Sequence, residues 1–145
     1  MDTLITLHSY NRYLVLLLLL LTIGHFSYKF LTKAQPAKLD RALAGANLGF
    51  AHLQLVLGLL VYFMGGRHQN IDMKDAASRY WGMEHFLMML IAVVFITLSV
   101  AATKRIADDN KRFFRIFLYN AIAFLCIAIG LMSSAVAPGL FGSAH

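Results

Sequence analysis

The chain has 145 residues, 59% of them hydrophobic, and a formal charge of +6. A soluble domain is nearer to about 45–50% apolar, so the excess calls for a nonpolar solvent rather than a larger core. The single cysteine, Cys126, excludes an internal disulfide or a thiolate metal cluster, and the cations gather at the ends of hydrophobic runs, which favours membrane topology over nucleic-acid binding.

The length suits one domain, residues 1–145. Four apolar segments predict helices at about 4–32, 41–64, 79–104 and 113–137. Each exceeds the ~20 residues that cross a bilayer. Inside lipid a backbone must satisfy its own hydrogen bonds. The expectation is an all-α, four-helix transmembrane bundle.

The first segment lacks a basic start and a small-residue cleavage site, so it reads as a retained span rather than a leader. It carries His8 and Arg12 one turn apart, with Asn11 beside them, and His25 in its other half. The second segment has polar groups on two sides. Gly45, Gly49 and His52 lie within about 60° of one another, and Asn47, Gln54 and Gly58 form a nearly opposite stripe. Two polar sides predict that this helix is the most enclosed, with Gly45-xxx-Gly49 admitting a close neighbour.

The third segment opens on "YWGMEHFLMML". His85 shares a stripe with Ser78, Trp81, Gly82, Met89, Ala92, Ile96 and Ser99, which suits the wall of a pocket for a flat ring. Glu84 points about 100° away from His85 and is expected to pair with Arg12. The fourth segment contributes no histidine, only Tyr119, Asn120 and Cys126 as polar groups. His68 and His145, in a loop and at the terminus, are expected to be solvated.

Nine of the thirteen cations fall in the turns after the first and third segments. By the positive-inside rule those turns are cytoplasmic and both termini lie on the non-cytoplasmic side. At ~1.5 Å per residue, His52 sits near mid-membrane, His85 roughly 10 Å outward, His8 somewhat further, and His25 roughly 10 Å inward. His25 is expected to have no partner at its own depth and is left out of the site. Ionisable groups within a membrane are costly and mark functional sites. Two imidazoles at similar depth on facing helices would hold one haem: His8 with His85 meets this best, and His52 with His85 needs a slanted ring. Arg12 and Arg79 are candidate cations for a haem propionate; Arg12, Asn11 and Tyr80 are candidate tuning groups. Met64, Met73 and Met83 near the outer side raise Cu(I) as a further metal, without forming a motif.

"LHSYNRYLVLLLLL", "GFAHLQLVLGLLVYF" and "MEHFLMMLIAVV" together resemble small bacterial four-helix membrane proteins of the cytochrome b type. More distantly, Leu7-His8, Leu57-Gly58-Leu59 and His85 resemble the membrane protoporphyrinogen oxidases and the copper-resistance D group. The resemblance implies haem b with His8 and His85 as the corresponding ligands; His52 falls in the helix 2 pattern of the closer group. Phe86, Leu87 and Met88 stand where the oxidase group has basic residues, which argues against oxidase chemistry. The expected role is electron transfer in the bacterial inner (cytoplasmic) membrane, as a small subunit or partner of a respiratory complex or as a homo-oligomer. A quinone is a candidate neighbour of the haem, and no residue is expected to be catalytic. The rivals are a cofactor-free accessory subunit, an enzyme acting on a porphyrinogen, and copper handling.

Overall fold

The computed structural model describes residues 2–66 and 68–133. Among the described residues there are helices and turns but no strand. Helix α1 spans Asp2–Thr32, α2 Lys38–Met64, α3 Ala76–Arg79, α4 His85–Ala101 and α5 Asp109–Ser133, with a π turn at Tyr80–Glu84 between α3 and α4. The α3–π–α4 unit runs on as one span, Ala76–Ala101. Four spans are therefore long and apolar enough to cross a membrane, as expected of an all-α multi-pass membrane protein. The predicted helical residues 134–137, and His145, lie outside the described residues.

Helix ends differ from the apolar runs because polar first turns carry the caps. Asp40 accepts the Ala37 N–H at 2.8 Å, so α2 starts before residue 41. Asp108 accepts the Lys111 N–H at 3.0 Å, so α5 starts before residue 113. Asp75 accepts the Ser78 N–H at 2.8 Å and starts α3. Helix α1 stops at Lys33, whose φ of 51° is left-handed, ahead of Pro36. Helix α4 ends at Ala101, short of residue 104.

The four spans form a ring in the order α1, α2, α4, α5, with the α2–α4 seam the sparsest. Leu19, Ala51, Ala92, Ile96, Ala123 and Ile127 fill the centre, one small or branched side chain against another. Phe26, Phe113 and Ile116 fill the end that carries the basic turns. Leu17, Leu20, Leu21, Val56, Val94 and Ile129 point outward and are exposed, a surface that hydrocarbon would cover. Across the ring the diagonal pair α2 and α5 meets through Asn47, whose amide donates to Asn120 Oδ1 at 2.8 Å. Asn120 donates in turn to the Ile116 carbonyl at 2.8 Å. Both asparagines are buried.

Helix α2 is not the most enclosed span. Only 17% of its most apolar stretch is buried, against 28%, 22% and 28% for the other three. A β-carbon on Gly45 or Gly49 would meet nothing within 4 Å. The two polar stripes divide the helix instead: the Asn47 stripe faces the bundle, and the Gly45 stripe faces out. The inward stripe makes interhelical hydrogen bonds through Asn47 and Gln54, and the outward one reaches the neighbouring α4 through His52 and Thr97.

His25 does have a partner at its depth. Its Nε2–H donates to Asp40 Oδ1 at 2.6 Å. Lys29 Nζ lies 3.3 Å from Asp40 Oδ2 and donates to the Gln35 carbonyl. Asp40 thus caps α2 and ties it to two side chains of α1 across a short turn.

Two measurements check this account. In a double-mutant cycle on Asn47→Ala and Asn120→Ala, unfolding in detergent should show a coupling of about 0.6–1.7 kcal/mol, the range for interhelical hydrogen bonds; zero coupling removes the proposed tie. Asp40→Ala strands the buried Lys29 ammonium, so it should destabilise by about 3 kcal/mol, whereas exposed Asp72→Ala should fall within about 0.5 kcal/mol of the native chain.

Candidate functional site

A cleft opens at the end of the bundle opposite the basic turns. It holds about 1180 Å³ of empty space counted out to its open mouth. Helix α1 contributes His8, Arg12, Val15 and Leu16; α2 contributes Gln54, Gly58 and Tyr62; the π turn and α4 contribute Tyr80, Trp81, His85, Phe86 and Met89. Ile127 and Leu131 of α5 close its far wall.

His8 and His85 face each other here from the diagonal helices α1 and α4. Their ring centres are 6.4 Å apart and their planes cross at 81°. Two imidazoles sharing one metal at bonds of ~2.0–2.1 Å place their ring centres ~6 Å apart, so the observed separation fits one shared ion. Among the described residues, no three His, Cys, Asp or Glu side chains converge as a metal centre. The two imidazoles stand as a pair at the cleft.

The sequence around each imidazole explains its position. Asn11 donates to Gln54 Oε1 at 2.9 Å and to the Phe50 carbonyl at 3.2 Å. Gln54 donates to the His8 carbonyl at 3.1 Å, and its amide nitrogen lies 3.5 Å from His8 Nε2, at the outer limit of a hydrogen bond. Gly58 lets α2 come this close: a β-carbon there would stand 3.2 Å from His8 Cε1.

His85 is placed by the π turn, which holds one extra residue per turn. The wide turn brings residues five apart together. The His85 N–H bonds the Tyr80 carbonyl, and the Tyr80 hydroxyl lies 3.3 Å from His85 Nδ1. Trp81 packs 5.5 Å from the same imidazole, beside the Tyr80 ring at 5.0 Å. Tyr62 of α2 donates to the Gly82 carbonyl at 2.6 Å and stacks on Phe86 at 4.8 Å, which pins the turn to α2. In the tautomer whose Nδ1–H donates to the Tyr80 hydroxyl oxygen, Nε2 of His85 carries the lone pair a metal would take.

The same wide turn redirects Glu84. It pairs with Arg79, Nε to Oε1 at 2.6 Å, rather than with Arg12. In a regular helix these residues would diverge; in a π turn they stack. Arg79 also donates to the Met73 carbonyl at 2.9 Å and is not part of the cleft wall. Arg12 stays at the cleft, its guanidinium over the Tyr13 ring at 4.9 Å and donating to the Tyr13 hydroxyl at 3.2 Å.

The remaining sequence candidates lie elsewhere. His52 faces outward from α2, and its Nε2–H donates to Thr97 Oγ1 at 2.9 Å; the Thr97 proton is already given to the Val93 carbonyl. His68 is exposed and packs by Tyr62 and Phe63. Met64 and Met73 are exposed. Of the His85 stripe, Trp81, Met89, Ala92 and Ile96 do line the cleft, while Ser78 caps the loop by accepting the Asp72 N–H. The stripe and Asn11 were readable from spacing, but the π turn was not, because periodicity presumes an unbroken helix.

Gly58→Leu should crowd the His8 ring and lower stability by about 1–3 kcal/mol, the usual penalty for overpacking. Gly49→Leu, which meets open space, should leave the thermal midpoint close to that of the native chain. A reversed order would mean that Gly58 is not the gap for His8. No family model, curated protein or solved structure matches this chain.

Proposed function

We propose that this chain is a haem b-binding electron-transfer protein, with the iron held between His8 and His85. The carrying observation is the pair of imidazoles on diagonal helices, with ring centres 6.4 Å apart, across an aromatic-walled cleft. A b-type haem with two histidine ligands supplies reversible one-electron chemistry and leaves no open position for oxygen. Tyr80 orients His85 through Nδ1. Gln54 and Gly58 set the ring of His8. Trp81, Phe86 and Met89 give the cleft an apolar wall beside them. Arg12 is the cation at the cleft for a propionate. The likeness to small bacterial membrane cytochromes points the same way.

The cation distribution supports a bacterial inner-membrane topology with both basic turns in the cytoplasm and the cleft in the outer half. Both termini then face outward. The chain would serve as a small subunit or partner of a respiratory complex, or as a homo-oligomer, exchanging electrons with a neighbour or a quinone close to the cleft.

The pyridine haemochrome assay on protein purified from its own membrane tests the reading. It should report one b-type haem per chain, with Soret and α bands in the reduced-minus-oxidised spectrum. His8→Ala and His85→Ala should each lose those bands or change their ligation signature; His52→Ala should keep them. Colourless, folded protein overturns the proposal in favour of a cofactor-free packing subunit. A normal spectrum in both His8→Ala and His85→Ala overturns the ligand assignment.

A further inference from the structure

A second open space lies at the opposite end of the bundle, where the C-terminus of α1, the α4–α5 turn and the start of α5 meet. It holds about 990 Å³ counted out to its open side. Phe30, Phe114 and Tyr119 form its apolar wall, and Asn110, Lys111 and Arg115 its polar one. Phe30 and Phe114 pack at 5.1 Å, and Phe114 remains 37% exposed.

The two cations are one turn apart on α5 and so share a face. Both are exposed, and among the described residues neither forms an ion pair; the nearby Arg112 takes Asp109 instead, at 2.6 Å. Asn110 also lines the groove, and its Oδ1 has no hydrogen-bond partner among the described residues and almost no accessible surface. A donor in the groove reaches that oxygen only when the side chain turns outward, a rotation that a hydrogen bond would reward. The cations and this amide fall at the end of a membrane span, beside Tyr119, a ring type that gathers at headgroup depth.

We propose that this groove binds an anionic glycerophospholipid whose headgroup carries a hydroxyl, of the phosphatidylglycerol type. The phosphate would meet Lys111 and Arg115. A headgroup hydroxyl would donate to Asn110 Oδ1, the amide turning toward the groove to receive it. One acyl chain would lie along Phe30, Phe114 and Tyr119. Basic pockets between spans at the positively charged end are the known physical setting for anionic lipid capture. The site is remote from the His8–His85 cleft and does not depend on what that cleft holds.

Native mass spectrometry of the full chain in detergent, titrated with phosphatidylglycerol, phosphatidylcholine or inorganic phosphate, tests it. One phosphatidylglycerol should be retained in preference to phosphatidylcholine. The Lys111→Gln, Arg115→Gln double variant should weaken retention by roughly tenfold or more, as expected for two basic groups at a lipid phosphate. Lys104→Gln, Arg105→Gln removes equal charge from the same end but outside the groove, and should change retention by less than about twofold if contact rather than field dominates. Asn110→Ala should reduce binding of phosphatidylglycerol but not of phosphatidic acid, which lacks the headgroup hydroxyls. Circular dichroism and the lipid-free thermal midpoint establish that each variant folds; should the double variant not fold, Asn110→Ala and Lys111→Gln alone decide the matter. Equal loss in both charge pairs, no preference over phosphatidylcholine, or displacement by millimolar inorganic phosphate overturns the proposal, the last in favour of a free-anion site.

Discussion

The hydrogen bond between Asn47 and Asn120 sets the rotation of α2, and the rest of the interior follows from that rotation. At 2.8 Å, buried and without solvent, it ties two helices that otherwise sit across the ring from each other. Gln54 and Gly58 lie on the same stripe of α2 as Asn47, so turning Asn47 inward turns them inward too. One brings an amide to His8, and the other brings a gap for its ring. The opposite stripe, with Gly45, Gly49 and His52, is thereby sent outward. In a bilayer a polar group does best where another helix offers a partner, as Asn120 does for Asn47 on the inward side and Thr97 of α4 does for His52 on the outward one.

The π turn at Tyr80–Glu84 does for the third span what Gly58 does for the second. One extra residue per turn opens the helix where Tyr62 can reach the Gly82 carbonyl. It also makes neighbours of residues five apart. Tyr80 with His85 and Arg79 with Glu84 are both such pairs. The first pair aims an imidazole into the cleft and the second removes a carboxylate from it. A single local distortion therefore sets both the donor geometry and the charge of the cavity, consistent with the tendency of π turns to occur at functional sites.

The two ends of the bundle are chemically unlike. The cleft end is aromatic and holds two imidazoles with one arginine nearby. The other end is basic, and its cations divide into those with fixed partners and those without. Lys29 belongs to the Asp40 and His25 cluster that closes the α1–α2 turn, and Arg112 belongs to Asp109. Lys111 and Arg115 are left to face a groove. This division between structural and available charge would be invisible in any count of lysines and arginines.

Composition and run length alone determined four spans, because helices this long and apolar, with few charges, match the ~20 residues that cross a bilayer. The same pattern was enough to put His8 at similar depth to His85, since depth along a helix follows directly from residue number. Rotation around each helix did not follow. The expectation of a buried Gly45 face failed because two polar stripes on one helix are symmetric in sequence, and only the partner, Asn120, breaks the tie. The expected Arg12–Glu84 pair failed because the π turn changes the angle per residue. His25 looked isolated because Asp40 lies in a polar first turn that hydropathy assigns to a loop. Depth is a local property of the chain; facing is a property of the packed bundle, and it was decided only when the helices met.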